Sequence, residues 1–443
     1  MMPNVILVIC DTLREDALIP HISKTKTPKF YKLLQDSMVY RNSIAPETWT
    51  FPSHASMFTG MYANEHGVHE TTETKLEGLW DANSKLKTKR IAEHLKSKGY
   101  STIGISNNYM VSRFTGFDYG FDFLLNIDSS PWGMSKMATE AKLMGSDPIQ
   151  VAIELWKKGR LGELPKFASE YFKVRNAAKI TDYPRNKGAK FTNELLNNMS
   201  LRENFFLFIN YWELHNPYRG QSDKIMQKNF TGIKKISDSY VEYLKEEYSR
   251  EVDYTFGHLD NLISMLIRRG LYDNSMIIIT SDHAQAFNEH GFMYHGVYLY
   301  DEIIRVPLVI KYPHGKKFRA VKGYQSLVSI PKLIKEIIEG GDDAALTTDN
   351  AFAESYGNMD RPPLSYKSRM DYVNNKYEKN RAAVYMNDYK LNVNGGDGVV
   401  EEFLKGTKPV DPRAREHRQA FDQLSDELQR FKKKEKFKIP GGS

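Results

Sequence analysis

The chain has 443 residues, with 62 Lys and Arg against 55 Asp and Glu, a formal net charge of +7, and 41% hydrophobic residues. That length and apolar content suit one large α/β domain with a smaller appendage and exclude a disordered chain. A single cysteine excludes a disulfide framework, the scattered basic residues form no nucleic-acid-binding module, and no apolar run approaches the roughly 18 residues of a membrane span. The opening run VILVIC is too short for a signal sequence, and with the lone Cys10 it leads to the expectation of a cytoplasmic protein.

NVILVICDT (4–12) is a continuous apolar run cut off by Asp11, the pattern of a strand buried on both faces with a polar tip. Such tips are the usual address of an α/β active site. TFPSHASMFTG (50–60) predicts a short helix with Thr50 as N-cap, Pro52 in the first turn and Gly60 as the stop. TKRIAEHLKSKGYSTIGISNN gives a helix with Ile91, Ala92 and Leu95 on one face, a stop at Gly99 and a strand ending at Asn107. From about 128 to 199 the alternation breaks into helical turns rich in Met, Lys and aromatics, expected to be an inserted lid or a homo-oligomer contact.

NFFLFINYWELH is a second buried strand, running into Glu213 and His215. Phe256, Leu259, Ile263 and Leu266 recur at helical spacing before Gly270, and SMIIITSDH then ends on Asp282 and His283. VPLVIKYP adds a buried strand and SIPKLIKEIIEGG a helix with a glycine stop. Past residue 350, pieces such as NRAAVYMNDYKLNVNGG predict a small antiparallel subdomain, followed by a charged helix from about 412 to 436. The basic run RFKKKEKFK near its end reads as a solvated helix terminus. The expected fold is α/β, a doubly wound and mostly parallel central sheet over residues 1–350, with a small C-terminal antiparallel subdomain over 351–440.

Four strand tips thus carry groups that bind metals or move protons. Asp282 and His283, joined by Asp11 from another strand, offer two carboxylates and an imidazole, a set suited to a divalent ion. Mn2+ or Zn2+ is expected, one ion or two, with Mg2+ and Ca2+ left open. Thr50 has two readings. As a cap it needs no chemistry; at a helix N-terminus beside a cation, its alkoxide becomes accessible near neutral pH. His295 follows His283 by twelve residues, and Asn108 could donate to a non-bridging oxygen of a substrate. Of the two histidines in NEHGVH, His66 reads as structural and His69 has no assigned role.

Several ordered motifs together resemble the sulfatase branch of the alkaline phosphatase superfamily: VILVICDTLREDAL, TWTFPSHASMFTGMYANEHGV, GYSTIGISNN, FINYWELHNPY, IIITSDHAQAFNEHGFMYHG and LYDEIIRVPLVI. The resemblance implies Asp11, Asp282 and His283 as metal ligands, with Thr50 as a metal-bound nucleophile. It places His215 and His295 around an anionic ester and its leaving group, Glu213 and His54 near the substrate, and Arg305 in support of the fold. Whether Glu213, His215 and His295 hold a second ion or act without one stays open.

The departures from the family pattern narrow the chemistry. Sulfatases of this branch carry Cys or Ser in C/S-x-P-x-R, oxidised to formylglycine; this chain has Thr50 in the first place and His54 where the arginine belongs. Threonine bears a methyl on the carbon to be oxidised and cannot give that aldehyde. The doubled acidic motif is reduced to Asp11-Thr12, NNY replaces the lysine-bearing motif, and SDHA leaves the role of Gln285 open. Thr50 with this metal set resembles the family's phosphodiesterases, phosphonate monoester hydrolases and phosphoethanolamine transferases. The expectation is hydrolysis of a small-molecule phosphate ester through a Thr50 intermediate. The alternatives are sulfate-ester hydrolysis without formylglycine, phospho-group transfer, or ligand binding without turnover.

Overall fold

The computed structural model describes residues 2–69, 83–127, 184–201, 204–317, 323–346, 348–357 and 364–439. Its main sheet contains β1 (Asn4–Cys10), β2 (Met38–Ile44), β3 (Ser101–Ser106), β4 (Phe123–Asn126), β5 (Phe205–Tyr211), β6 (Ser275–Thr280), β9 (Arg305–Lys311) and β10 (Gln325–Ser326). Their spatial order is β10-β2-β9-β6-β1-β5-β3-β4. Strands β6, β1, β5, β3 and β4 pair in parallel, whereas β9 runs against both β6 and β2. The sheet is therefore mostly parallel, as its buried apolar runs suggest.

Successive side chains of a strand face opposite ways, and β1 divides its residues accordingly. Val5, Leu7 and Ile9 join the core beneath the helices Thr50–Thr59, Ile91–Ser97 and Ile330–Ile338. Ile6, Val8 and Cys10 join the core beneath Pro28–Asp36, Ala189–Asn198 and Asp238–Arg268. Helices on both faces make the sheet doubly wound. Burial and the carboxylates of Glu213, Asp11 and Asp282 push the Cys10 thiol far up, so it is an inert part of the packing.

Parallel pairing puts the C-terminal ends of β1, β3, β5 and β6 on one edge, with Cys10 level with Tyr211, Ile9 with Thr280 and Ser106 with Asn210. Asp11, Asn108, Glu213, His215, Asp282 and His283 all follow these ends. Between His283 and β9 lies a ribbon of β7 (Ala286–Phe287) and β8 (Met293–Tyr294).

The second sheet is antiparallel: β11 (Asn350–Ser355), β12 (Arg381–Met386), β13 (Tyr389–Asn394), β14 (Val399–Lys405) and β15 (Lys408–Pro409). Phe421, Leu424 and Leu428 of the helix Arg415–Phe431 pack on Ala382, Val384, Leu391 and Val393 to give it a core of its own. The basic end of that helix departs from expectation. Lys432 is buried and pairs with Glu354 and Glu435, because the chain end turns inward onto the sheet.

Most of the expected insert, residues 128–183, lies outside the described residues. Its end, Ala189–Asn198, packs against Asp238–Arg268. Among the described residues no helix is long and apolar enough to cross a membrane.

Candidate active site

The helix Thr50–Thr59 starts one residue earlier than its sequence suggests. Trp49 is the N-cap, extended at φ −155° and ψ 166°, and makes no side-chain cap bond; Thr50 is the first helical residue. The approach is set by neighbours: the Pro46 carbonyl accepts from Glu354 N–H at 2.9 Å, and the Thr48 carbonyl from Gly296 N–H at 2.9 Å. Relieved of capping, the Thr50 hydroxyl donates to Asp11 Oδ2 at 3.3 Å and stands 3.4 Å from His283 Nε2. The positive end of the helix dipole lies behind it.

Asp11 leaves β1 just before a tight turn at Thr12, whose φ of 63° is left-handed. Ser281 ties this turn to the tip of β6, accepting from Leu13 N–H at 2.9 Å and donating to the His283 carbonyl. Ligand atoms of Asp11, Asp282 and His283 lie within 4.8 Å of one another, all buried. Among the described residues, Asp11 Oδ1 and both carboxylate oxygens of Asp282 have no hydrogen-bond partner. Burial and Asp282 push the Asp11 carboxyl well up, against the pull of Asn108, Thr50 and Lys187.

His283 Nδ1–H donates to the Ala284 carbonyl at 3.0 Å, which fixes the tautomer and leaves the Nε2 lone pair facing the carboxylates, 3.5 Å from Asp282 Oδ2 and 3.8 Å from Asp11 Oδ1. Buried acceptors without donors are costly. Two such carboxylates and an aimed imidazole fit a divalent cation in number, chemistry and placement.

A second group of rings abuts the first. The His295 ring lies 4.4 Å from His283 and 4.8 Å from His215, centroid to centroid. His215 Nδ1–H donates to the Asn216 carbonyl at 2.5 Å, and His295 Nδ1–H to Gln285 Oε1 at 3.1 Å. Gln285 is itself held by a hydrogen bond from its amide to the Tyr218 hydroxyl. Burial pulls His215 down to about 3 and His295 well below the ordinary imidazole range, so both rings are neutral, with Nε2 unprotonated.

Other expected site residues take supporting places around this group, and His54 Nδ1 also stands 3.5 Å from Asp282 Oδ2. Asn108 gives its amide to Asp11 Oδ2 at 3.0 Å, orienting that carboxylate. The Nδ1–H of His54 donates to the Thr50 carbonyl at 2.8 Å, and its Nε2 accepts from Asn210 at 2.9 Å. With Phe58, Phe117 and Phe208 edge-on around it, His54 braces the first turn of the Thr50 helix and presents no free nitrogen. Glu213 Oε1 accepts from the N–H groups of Lys187 and Ala189, so this carboxylate holds the start of Ala189–Asn198 and is not brought into the metal-binding group.

Arg305 pairs with Asp301 at 3.2 Å. His66 accepts from Val68 N–H and bonds Ser56 within the fold, while His69 stacks on Tyr356 with centroids 3.6 Å apart.

One residue left open by the sequence and one that it does not signal also matter. Gln285 orients His295, which SDHA left open. Lys187 is fully buried, donates to the Glu213 carbonyl at 2.7 Å, and its charge acts on both Asp11 and His215. Nothing in its local sequence signals this.

Comparison with known proteins identifies the family of the chain. The Sulfatase family model matches residues 3–336. The chain is 22% identical over 375 residues to an N-acetylglucosamine-6-O-sulfatase of Bacteroides thetaiotaomicron, covering 71% of this chain and 64% of that protein. Among solved structures, the phosphonate monoester hydrolase of Silicibacter pomeroyi superposes with a TM-score of 0.63 at 16% identity, covering 98% of this chain and 95% of the other. A 2-O GAG sulfatase gives 0.66 at 12%, covering 98% and 92%. With a family match across most of its length and an alkaline phosphatase-like fold, the chain belongs to the sulfatase family.

Proposed function

We propose that the chain is a metal-dependent hydrolase of phosphate esters (diesters, monoesters or phosphonate esters) that works through a covalent Thr50 intermediate. One observation carries the reading: the place at which formylglycine would stand holds a threonine whose hydroxyl is free of capping and bonded to Asp11 beside His283.

Asp11, Asp282 and His283 would hold the ion, and manganese or zinc suits their mixed oxygen and imidazole set. A divalent cation there supplies positive charge that favours the Thr50 alkoxide and the phosphoryl oxygens. The Thr50 oxygen attacks phosphorus in line as the bond to the leaving oxygen breaks, giving a phosphothreonine and an alcohol. In this reading the negative charge of the bound ester offsets the effect of burial on His295 and His215, which take up the threonine's proton on Nε2 and return it to the departing alkoxide. A water then attacks phosphorus, losing its proton to the same rings, and the Thr50–phosphorus bond breaks as that proton passes to the threonine oxygen, restoring the hydroxyl and the neutral ring. Asn108 and Gln285 contribute orientation, the first of Asp11 and the second of His295.

A second reading, direct attack of Thr50 on a sulfate ester, is favoured by the sulfatase named above as a relative. Purified protein supplied with Mn2+ or Zn2+ should release nitrophenol from an aryl phosphodiester or an aryl phosphonate ester, and much more slowly from an aryl sulfate. Turnover of the sulfate alone would establish the second reading in place of the first.

A further inference from the structure

The basic run at 430–438 is not uniformly solvated. Lys433 and Lys434 are exposed, but Lys432, one residue past the helix Arg415–Phe431, is 2% exposed. Its ammonium lies 2.7 Å from Glu354 Oε1, 2.8 Å from Glu435 Oε2 and 2.9 Å from the Tyr356 hydroxyl. That hydroxyl reaches Glu435 Oε1 at 2.5 Å and Glu354 Oε1 at 2.9 Å, so two glutamates and a tyrosine gather around one ammonium. Phe431 wedges beside it, stacked on Phe352 at 4.2 Å and edge-on to Tyr62, while its carbonyl accepts from Asn64 Nδ2 at 2.8 Å. The end of the C-terminal helix is thus inserted between β11 and the turn that follows the Thr50 helix.

From β11 the contact passes to the nucleophile. Glu354 donates its N–H to the Pro46 carbonyl, and Glu47 bridges to Glu354. Thr48, on the same segment, is held by Gly296, the neighbour of His295. The Thr50 helix has no side-chain cap of its own, so this strap sets where it begins.

We infer that Lys432 is a positioning residue: its ammonium holds β11 against residues 46–49 and thereby fixes where the Thr50 hydroxyl stands. Without it, buried carboxylates would be left uncompensated and would separate or take up protons. The inference rests on the reading of Thr50 as nucleophile for its effect on turnover, but its structural half can be measured independently.

The test is hydrogen exchange by mass spectrometry on the full chain, comparing wild type with Lys432→Met and, as a control, the exposed Lys433→Met. Lys432→Met should speed exchange at least about tenfold in the peptide spanning 44–58 and leave β1 and β6 unchanged. On whichever aryl ester the wild type turns over, its kcat should fall about 10- to 100-fold at unchanged KM, the scale of a small misplacement of a reacting group. Lys433→Met should match wild type in both. Should Lys432→Met not fold, Tyr356→Phe keeps the charges, removes one bridging hydroxyl and should show the same local pattern more weakly. Unchanged exchange at 44–58, or equal acceleration throughout the chain, overturns the inference. If wild type turns over no ester, the functional reading fails while the exchange pattern still decides the strap.

Discussion

Two buried ionic clusters in this molecule are built in opposite ways. Around Lys390, charge is balanced from within: its ammonium lies 2.8 Å from Asp301 and 2.7 Å from Glu402, and Tyr385 donates to Asp301. Lys390 and its neighbours hold the Asp301 carboxyl down at about 2, and the paired carboxylates in turn raise Lys390. Around Asp11 and Asp282, the imidazoles of His283 and His54 each stand 3.5 Å from Asp282 Oδ2, three carboxylate oxygens have no hydrogen-bond partner among the described residues, and burial drives Asp11 up. The first cluster is complete as protein. Among the described residues the second has no ammonium or guanidinium bonded to it, Lys187 acting on Asp11 only through its charge, and that sets a candidate binding site apart from a structural ion cluster.

The largest expected effect falls at the second cluster. Thr50→Ala should lower turnover by more than about a thousandfold, as removal of a covalent nucleophile does, while leaving the melting temperature near wild type. Full activity in that variant would end the nucleophile assignment.

The contrast itself is tested by paired substitutions. Lys390→Met removes the only cation the described structure shows bridging Asp301 and Glu402, and should cost about 3–5 kcal/mol in denaturant unfolding. Asp282→Asn, measured in metal-free protein, should be neutral or stabilising, because it removes an uncompensated buried charge. Equal destabilisation by both would erase the distinction.

Smaller effects sharpen it. Gln285→Leu frees the Nδ1 side of His295 and should lower kcat about 10- to 100-fold with metal content intact. Glu251 is intermediate between the two clusters: Arg185 is 3.7 Å from one oxygen and the other has no hydrogen bond. Burial, with Glu213 and Glu247, raises its carboxyl to about 7 against the pull of Lys187 and Arg185. In the unfolded chain it ionises near the ordinary glutamate value, so its stabilising contribution is full at acid pH and is lost as pH rises through about 7. Glu251→Gln should therefore gain about 1–3 kcal/mol over wild type at pH 8 and little at pH 4.

Much of this was legible in the sequence because buried parallel strands announce themselves as apolar runs with polar tips. Asp11, Asp282 and His283 end such runs, and parallel pairing brings such tips to one edge. Orientation was not legible: VPLVIKYP reads as a buried strand, yet only its partners reveal that β9 runs against the rest. Nor was the helix start, since the approach that makes Trp49 the N-cap is set by Glu354 and Gly296, hundreds of residues away, donating to the Pro46 and Thr48 carbonyls.

His54 and Glu213 carry polar groups at expected places but direct them into the protein, a matter of rotamer and neighbour rather than of spacing. The same holds for Lys432, one lysine among several in a charged run, which turns inward only because Glu354 and Glu435 meet it there. Gln285 and Lys187 act through contacts with His295 and Glu213 that no local pattern encodes.

The account's central claim is that Asp11, Asp282 and His283 complete their charge with a bound cation. Calorimetric titration of the metal-free chain with Mn2+ or Zn2+ tests it most directly. The prediction is saturable binding in wild type that Asp282→Asn weakens by at least about a hundredfold, in line with removal of a charged ligand. Binding of equal strength in the two proteins would contradict it.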